Sequence, residues 1–205
     1  SVQVHDSPVE RAFAGQRTAL GLHGVAKSDL SRGDTLAAQD SLHVTRMFDA
    51  RIRLVPGARP VANRTRVHLH LGTSELLARL VLLDEERLEP GSDGLVQVRC
   101  ESPVATVRDD LFVVRSYSPM ATIGGGRVID PAPARHKRMR DEVLETIHVL
   151  ESGSVDEVAC RFVGDAGIEG AEPTEVLERL GPQGERALET LLESGDIGRL
   201  GARFP

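Results

Sequence analysis

Two stretches of this 205-residue chain bring together side chains that could do chemistry. The first is Leu111 to Pro131. An apolar strand pattern ends at Arg115, and the polar turn Tyr117-Ser118-Pro119 follows. Thr122-Ile123 then leads into Gly124-Gly125-Gly126-Arg127. Glycines inside a strand pattern mark a bulge or the close approach of a second backbone. That backbone is either a neighbouring strand at a barrel corner or a ligand. A phosphate-cradling Walker loop needs a Lys after its last glycine, and none follows here, so this run is not a nucleotide cradle. The second stretch is basic. Arg46, Arg51, Arg53, Arg59, Arg64 and Arg66 face only Asp49 between them. Such a stretch either meets phosphates or is a solvated strand face.

Other constellations carry less. His68 and His70 share a strand face at the spacing of a metal pair, with His43 as a remote third ligand; a polar strand face is the reading favoured here. Asp109-Asp110 is read as a turn, because adjacent strand residues point to opposite faces. Cys100 and Cys160 stand alone, without metal spacing, and fit a reducing cytoplasmic compartment. There is no G-x-S-x-G elbow and no H-E-x-x-H pair. With no Trp and one Tyr, the chain lacks an aromatic platform for single-stranded nucleic acid. No apolar run approaches the roughly 20 residues of a membrane span. Catalysis by this chain and a membrane role are therefore not expected.

The elements that must hold these residues are strands first and helices afterwards. Phe48, Ala50, Ile52 and Leu54 alternate with Asp49, Arg51 and Arg53. Val67, Leu69 and Leu71 alternate with Arg66, His68 and His70, and Val96, Val98 and Cys100 with Gln97, Arg99 and Glu101. Short strands divided by turns such as Gly91-Ser92-Asp93-Gly94 indicate a sandwich or barrel over residues 41–131. Ser74 to Glu86 has helix-favouring composition, yet its neighbours and its Leu80/Leu82 alternation predict strand. Residues 1–40 read as short strands and turns, including Ser31-Arg32-Gly33-Asp34, at the end of an earlier domain.

The period changes after Asp130-Pro131. Met139, Val143, Leu144, Ile147 and Leu150 fall at helical spacing, and Ser154-Val155-Asp156-Glu157 is a capping box. Helices are predicted to start at Pro173 and at Pro182, ending at Gly181 and Gly195. Extended structure follows from Ile197 to Phe204. That order is the order of a winged helix over residues 132–205. Charge divides along the same line. Residues 1–134 hold 16 Lys and Arg against 16 Asp and Glu, whereas residues 135–205 hold 9 against 15. The would-be recognition helix, Gln183 to Ser194, sets Arg186 against Glu185, Glu189 and Glu193, which disfavours DNA. The basic run Arg135 to Arg140 is read as a solvated first helical turn or as an RNA contact. A DNA-binding regulator and a protein-interaction module stand as alternatives.

Three motifs in order resemble a known family. Arg115-Ser116-Tyr117-Ser118-Pro119-Met120-Ala121-Thr122-Ile123-Gly124-Gly125-Gly126-Arg127-Val128 resembles the final strands of the third domain of elongation factor Tu-like GTPases, in their selenocysteine-specific (SelB) branch. Ala14 to Leu20, continuing through Gly24-Val25 to Arg32-Gly33-Asp34, is similar to the end of that family's second barrel. His70 to Arg79 resembles its H-x-G-T-[AS]-E-[VL]-x-A-[RK] stretch. The resemblance implies a mainly β plus α chain: the last strands of barrel domain II over residues 1–40, a domain III barrel over 41–131, and the first winged helix over 132–205. It implies a non-catalytic fragment, with no cofactor of its own. GTP and magnesium belong to an N-terminal domain whose motifs are not in this sequence.

The implied role is to contact the stem of selenocysteinyl-tRNA on its way to the ribosome, and to link to further winged helices that hold an mRNA hairpin at recoded UGA codons. The implied RNA-binding residues are Arg51, Arg53, Arg115, Tyr117, Thr122, Gly124, Gly125 and Arg127. Duplex RNA is met through phosphates and 2′-hydroxyls, by shape. Arg115 and Arg127 would supply charge, Thr122 a hydroxyl, Tyr117 a ring for a ribose, and the glycines a backbone without Cβ clashes. Related factors often carry Arg before the threonine; Ala121 stands there here.

Overall fold

The computed structural model describes residues 1–37, 42, 44–167, 170–180 and 184–198. They form two compact units, divided between Asp34 and Thr35. The first unit holds three short strands, β1 (Val2–Val4), β2 (Ser7–Pro8) and β3 (Thr18–Leu20), antiparallel in the order β2-β1-β3. The expected turn at Ser31–Asp34 is present. The Asp34 N–H donates to the Ser31 carbonyl at 3.2 Å, and the Asp34 carboxylate accepts from the Ser31 N–H at 2.6 Å.

The second unit runs β4 (Val44–Leu54), β5 (Val61–Ala62), β6 (Thr65–Leu71), β7 (Ser74–Leu82), β8 (Arg87–Leu88), β9 (Asp93–Ala105), β10 (Leu111–Ser116) and β11 (Thr122–Asp130). Four helices follow: α1 (Asp141–Ser152), α2 (Val155–Asp165), α3 (Pro173–Leu180) and α4 (Gly184–Ser194). Six strands close a barrel in the order β10-β11-β4-β9-β7-β6, while β5 and β8 pair separately. The alternation predicted from sequence fills the interior. Phe48, Ala50, Ile52 and Leu54 meet Val67, Leu69 and Leu71, with Val96, Val98 and Cys100 completing the wall. β7 is a strand despite its helix-favouring composition, because β6 on one side and β9 on the other take its backbone groups. Its Ala78 and Leu80 are fully buried.

One sector of the barrel is buried on both faces. Val81, Leu83, Leu95 and Ile129 point outward and form a second core with Ile147, Leu150, Phe162 and Val176 of the helices. Barrel and helices are thus one compact unit. The helices follow their apolar stripes. Val158, Ala159, Phe162 and Val163 are buried on α2, whose Ser154 and Glu157 side chains form the predicted capping box. The stretch 132–140 departs from expectation. It is not a helical turn, for α1 begins at Asp141 and Met139 sits at φ 54°. Its extended path is pinned to the barrel instead. The Met139 N–H donates to the Leu83 carbonyl at 2.9 Å, and the Arg138 guanidinium donates to the carbonyls of Leu82 and Glu85 at 2.6 and 2.8 Å.

Gly181, Pro182, Gln183 and most of the expected final hairpin lie outside the described residues. Cys100 lies buried in the barrel wall, Cys160 is exposed on α2, and both are free. Among the described residues no helix is long and apolar enough to cross a membrane, and no His, Cys, Asp and Glu cluster could hold a metal.

Candidate nucleic-acid interface

The glycine run sits in the middle of β11, and strand register explains its size. Gly124, Gly125 and Gly126 pair with Leu54, Arg53 and Ile52 of β4 on one side. On the other they pair with Val114, Val113 and Phe112 of β10. A Cβ on Gly124 would run into the Arg53 carbonyl. One on Gly125 would stand 2.8 Å from the Phe112 carbonyl, and one on Gly126 would collide with the Arg51 carbonyl and stand 2.6 Å from the Phe112 ring. The close approach expected here is therefore made by the protein's own strands. Gly124 is buried, and Gly125 is half-buried on the outer face beside Val113 and Arg53.

The other singled-out residues separate into two groups. Arg115 pairs across the sheet with Thr122 on β11 and with His68 on β6. Tyr117 follows in the connecting turn, about half exposed. Its ring stacks on His68 with centroids 5.7 Å apart, and the Arg66 guanidinium lies over it at 4.8 Å. The turn contains a cis Ser118-Pro119 bond. It is tied down by the Ser116 hydroxyl, which donates to the Pro119 carbonyl and accepts from the Ala121 N–H at 3.1 Å. Within this group the Arg115 Nε and the His70 Nε2 are shielded from solvent with no hydrogen-bond partner. An unmet buried donor is costly, and the Arg115 Nε–H is one.

Arg51, Arg53 and Arg127 form the second group, on β4 and β11, where Arg51 pairs with Arg127. Their charges have different fates. Arg53 is largely exposed, 3.6 Å from Asp93. Arg127 donates to Asp109 at 2.8 Å. Arg51 is gripped bidentately by Glu151 of α1 at 2.8 and 2.5 Å. That bond raises the Arg51 pKa and holds the Glu151 carboxyl below its usual range. Arg51 is thus a joint between barrel and helices. The expected turn at Asp109-Asp110 is present, with Asp109 at φ 71°. His68 is satisfied by Glu75 at 3.3 Å and by the Tyr117 ring, as a polar strand face would be.

Two further ionic joints cross from barrel to helical region, and the strand pattern alone did not mark them. Asp130, almost fully buried, accepts from Arg179 of α3 at 3.1 and 2.5 Å. The same guanidinium lies 3.6 Å over the Phe162 ring. Asp49, also buried, holds His136 at 2.6 Å and accepts from Gln97 at 3.1 Å. Burial pushes the Asp49 carboxyl up against the opposing pull of His136. Burial is the largest single influence and works to lower His136, but the Asp49 hydrogen bond and the charges of Asp49 and Asp130 together raise the imidazole. A cavity of about 370 Å³ at this seam is lined by Asp49, Asp130, His136 and Arg179, whose charges are spent on one another.

With the geometry in place, likeness to known proteins decides the family. Residues 48–135 match the family model of the selenocysteine-specific elongation factor β-barrel domain. The chain is 37% identical over 175 residues to a selenocysteine-specific elongation factor of Desulfomicrobium baculatum, a match covering 83% of this chain and 27% of the relative. The chain belongs to the selenocysteine-specific elongation factor family. The factor of Escherichia coli is 27% identical over 76% of this chain and 24% of its own length. Elongation factor 1-alpha of Archaeoglobus fulgidus is 28% identical over 69% and 32%, as expected for the wider elongation factor Tu-like group. The chain spans about a quarter of the length of the selenocysteine-specific relatives. In the helical region beyond the matched barrel, α4 exposes Glu185, Glu189 and Glu193 beside Arg186, a face that repels phosphate.

Proposed function

We propose that this chain is part of an elongation factor that delivers selenocysteinyl-tRNA to the ribosome at recoded UGA codons. Its barrel meets the tRNA stem through the β10–β11 turn, and the helical region is a winged helix that leads toward further mRNA-binding modules. The observation that carries the reading is the match of residues 48–135 to the family's barrel domain. The geometry supports the place of contact. Tyr117 and Thr122 are exposed, and the Arg115 Nε beside them lacks a partner. Arg53 adds an available cation, whereas Arg51 is committed to Glu151. In this reading the segment does no chemistry. GTP, magnesium and hydrolysis belong to another domain of the factor, and the compartment is the cytoplasm.

Filter binding of the chain to selenocysteine tRNA, against an unrelated RNA duplex, tests this. A hydrogen bond to a charged group is worth about 1.5–3 kcal/mol. Arg115→Ala is therefore expected to weaken tRNA binding by about 10-fold or more, and Thr122→Ala to weaken it less. Equal affinity for both RNAs, or affinities untouched by either substitution, would overturn the reading.

A further inference from the structure

We infer that the outer faces of β6, β7 and β9 carry a second RNA-contacting surface, an arginine row that takes the phosphates of a duplex RNA backbone. The inference shares its ligand class with the proposed function but rests on different residues and different strands.

Register creates the row. Arg66 on β6 lies directly opposite Arg79 on β7, and Arg79 lies opposite Arg99 on β9. The residues flanking each arginine point inward: Val67, Ala78, Leu80, Val98 and Cys100 are buried. The three guanidinium stems therefore leave the outer face as cross-strand neighbours, on strands about 4.8 Å apart. Like charges placed opposite one another destabilise a sheet. Two more cations join them. Arg64 stands exposed at φ 65° in the turn before β6, and Arg79 donates to its carbonyl at 3.5 Å. On the far side the Gln97 amide donates to the Ala134 carbonyl at 2.9 Å, which brings Arg135 beside Arg99. The crowding is felt at Arg99, whose pKa is lowered by burial first and then by the charges of Arg135 and Arg64.

Counter-charge is sparse. Glu101 holds Arg66 bidentately at 2.7 and 2.6 Å. Arg99 is met by the neutral Gln97 oxygen at 2.8 and 3.2 Å. Among the described residues, no carboxylate lies within ion-pair distance of Arg64, Arg79, Arg99 or Arg135. At the barrel–helix seam, by contrast, Arg51 and Arg179 each have a carboxylate of their own. A structural arginine row would be neutralised in the same way. Phosphates complete this one, since a guanidinium fork pairs bidentately with phosphate oxygens. The row begins where Arg66 covers Tyr117, at the turn assigned to the tRNA stem, and ends at Arg135 in the stretch leading to the helices. It would guide an RNA backbone from one to the other. Continuity with that turn favours RNA over an acidic protein segment.

The test is the salt dependence of binding to an RNA duplex of about 16 base pairs. Arg79→Gln is expected to weaken binding and to reduce the slope of log K against log salt by about 0.9, the signature of one lost phosphate contact. The triple variant Arg64→Gln, Arg79→Gln, Arg135→Gln should reduce it by about three times as much. Without RNA, Arg79→Gln should match or exceed the parent in Tm, because a repulsion is removed. An unchanged salt slope, a lowered Tm in the free variant, or displacement of the RNA by a polyglutamate peptide at equal charge would each overturn the inference. If Arg115→Ala and Thr122→Ala leave tRNA binding intact while the row variants lose slope, the turn reading falls and the row stands. The converse result sinks the row alone.

Discussion

Arg51 and Arg53 stand two residues apart on β4, on the same outer face, in a stretch whose alternation is uniform. Yet one is bound into the molecule and the other is largely exposed. The contrast extends over the barrel. On the sector covered by helices, three carboxylates among the described residues are matched across the seam: Glu151 with Arg51, Asp130 with Arg179, Asp49 with His136. On the sector of β6 and β7, the exposed Arg64 and Arg79 stand, among the described residues, without a carboxylate at ion-pair distance. Water explains the difference. A charge removed from solvent must bring its partner with it, or the unpaired ion is several kcal/mol worse off. A charge left in solvent needs none, so its neighbours can be chosen for an external ligand.

The sharpest challenge to that division is Asp130→Ala. It strands the half-buried Arg179 guanidinium and is expected to destabilise by about 3 kcal/mol, the lower end for a broken buried pair. The figure is held down because Asp130 also raises the pKa of the neighbouring Asp49, a repulsion that its loss removes. Urea unfolding measures it. A loss as small as that of a surface charge would mean that the seam is solvated after all.

The next effect is a pH dependence. His136 in the folded chain has a pKa above its ordinary 6.5. Its contribution is therefore full below pH 6.5 and lost as pH rises through the folded value. The raised Asp49 acts in the same direction, because the folded carboxyl holds its proton more tightly than the unfolded one. As pH rises above about 6.5, unfolding free energy should fall in the parent and stay flatter in His136→Gln. Parallel curves would remove His136 from the seam.

The smallest expected effect separates the two arginines themselves. Arg53→Ala should change stability by less than about 0.5 kcal/mol, whereas Arg51→Ala should cost more, because it leaves the mostly buried Glu151 without its fork. Thermal unfolding of the pair under one buffer decides it, and equal losses would erase the distinction.

Much of the barrel was legible in the residues. The alternation in β4, β6 and β9 placed the interior side chains, and β7 was readable as a strand because its neighbours demanded one. The Ser154–Glu157 capping box was local and therefore visible. The second core was harder to see, although it left a trace. Leu82-Leu83, Leu95-Val96 and Val128-Ile129 are adjacent apolar pairs that break the in-out pattern, as strands covered on both faces do. The fate of Arg51 had no such trace, since its partner lies 100 residues away. The basic run Arg135–Arg140 invited a helical reading by composition. Its backbone instead follows carbonyls of the barrel that no local pattern announces. Of the candidate contact residues, only the strand register brings Arg115 opposite Thr122, and spacing could not decide that the glycines were small for the sake of their own neighbouring strands.

The two cysteines turn this architecture into a pair of reporters. Cys160 is open on a helix, while the Cys100 thiol lies in the barrel wall with its pKa pushed up to about 12. Thiolate is the reactive form, so an alkylating reagent at neutral pH marks the helical region at once and stays blind to the barrel. The rate at which Cys100 takes up label is then a clock for the opening of the closed wall, running inside the unmodified sequence.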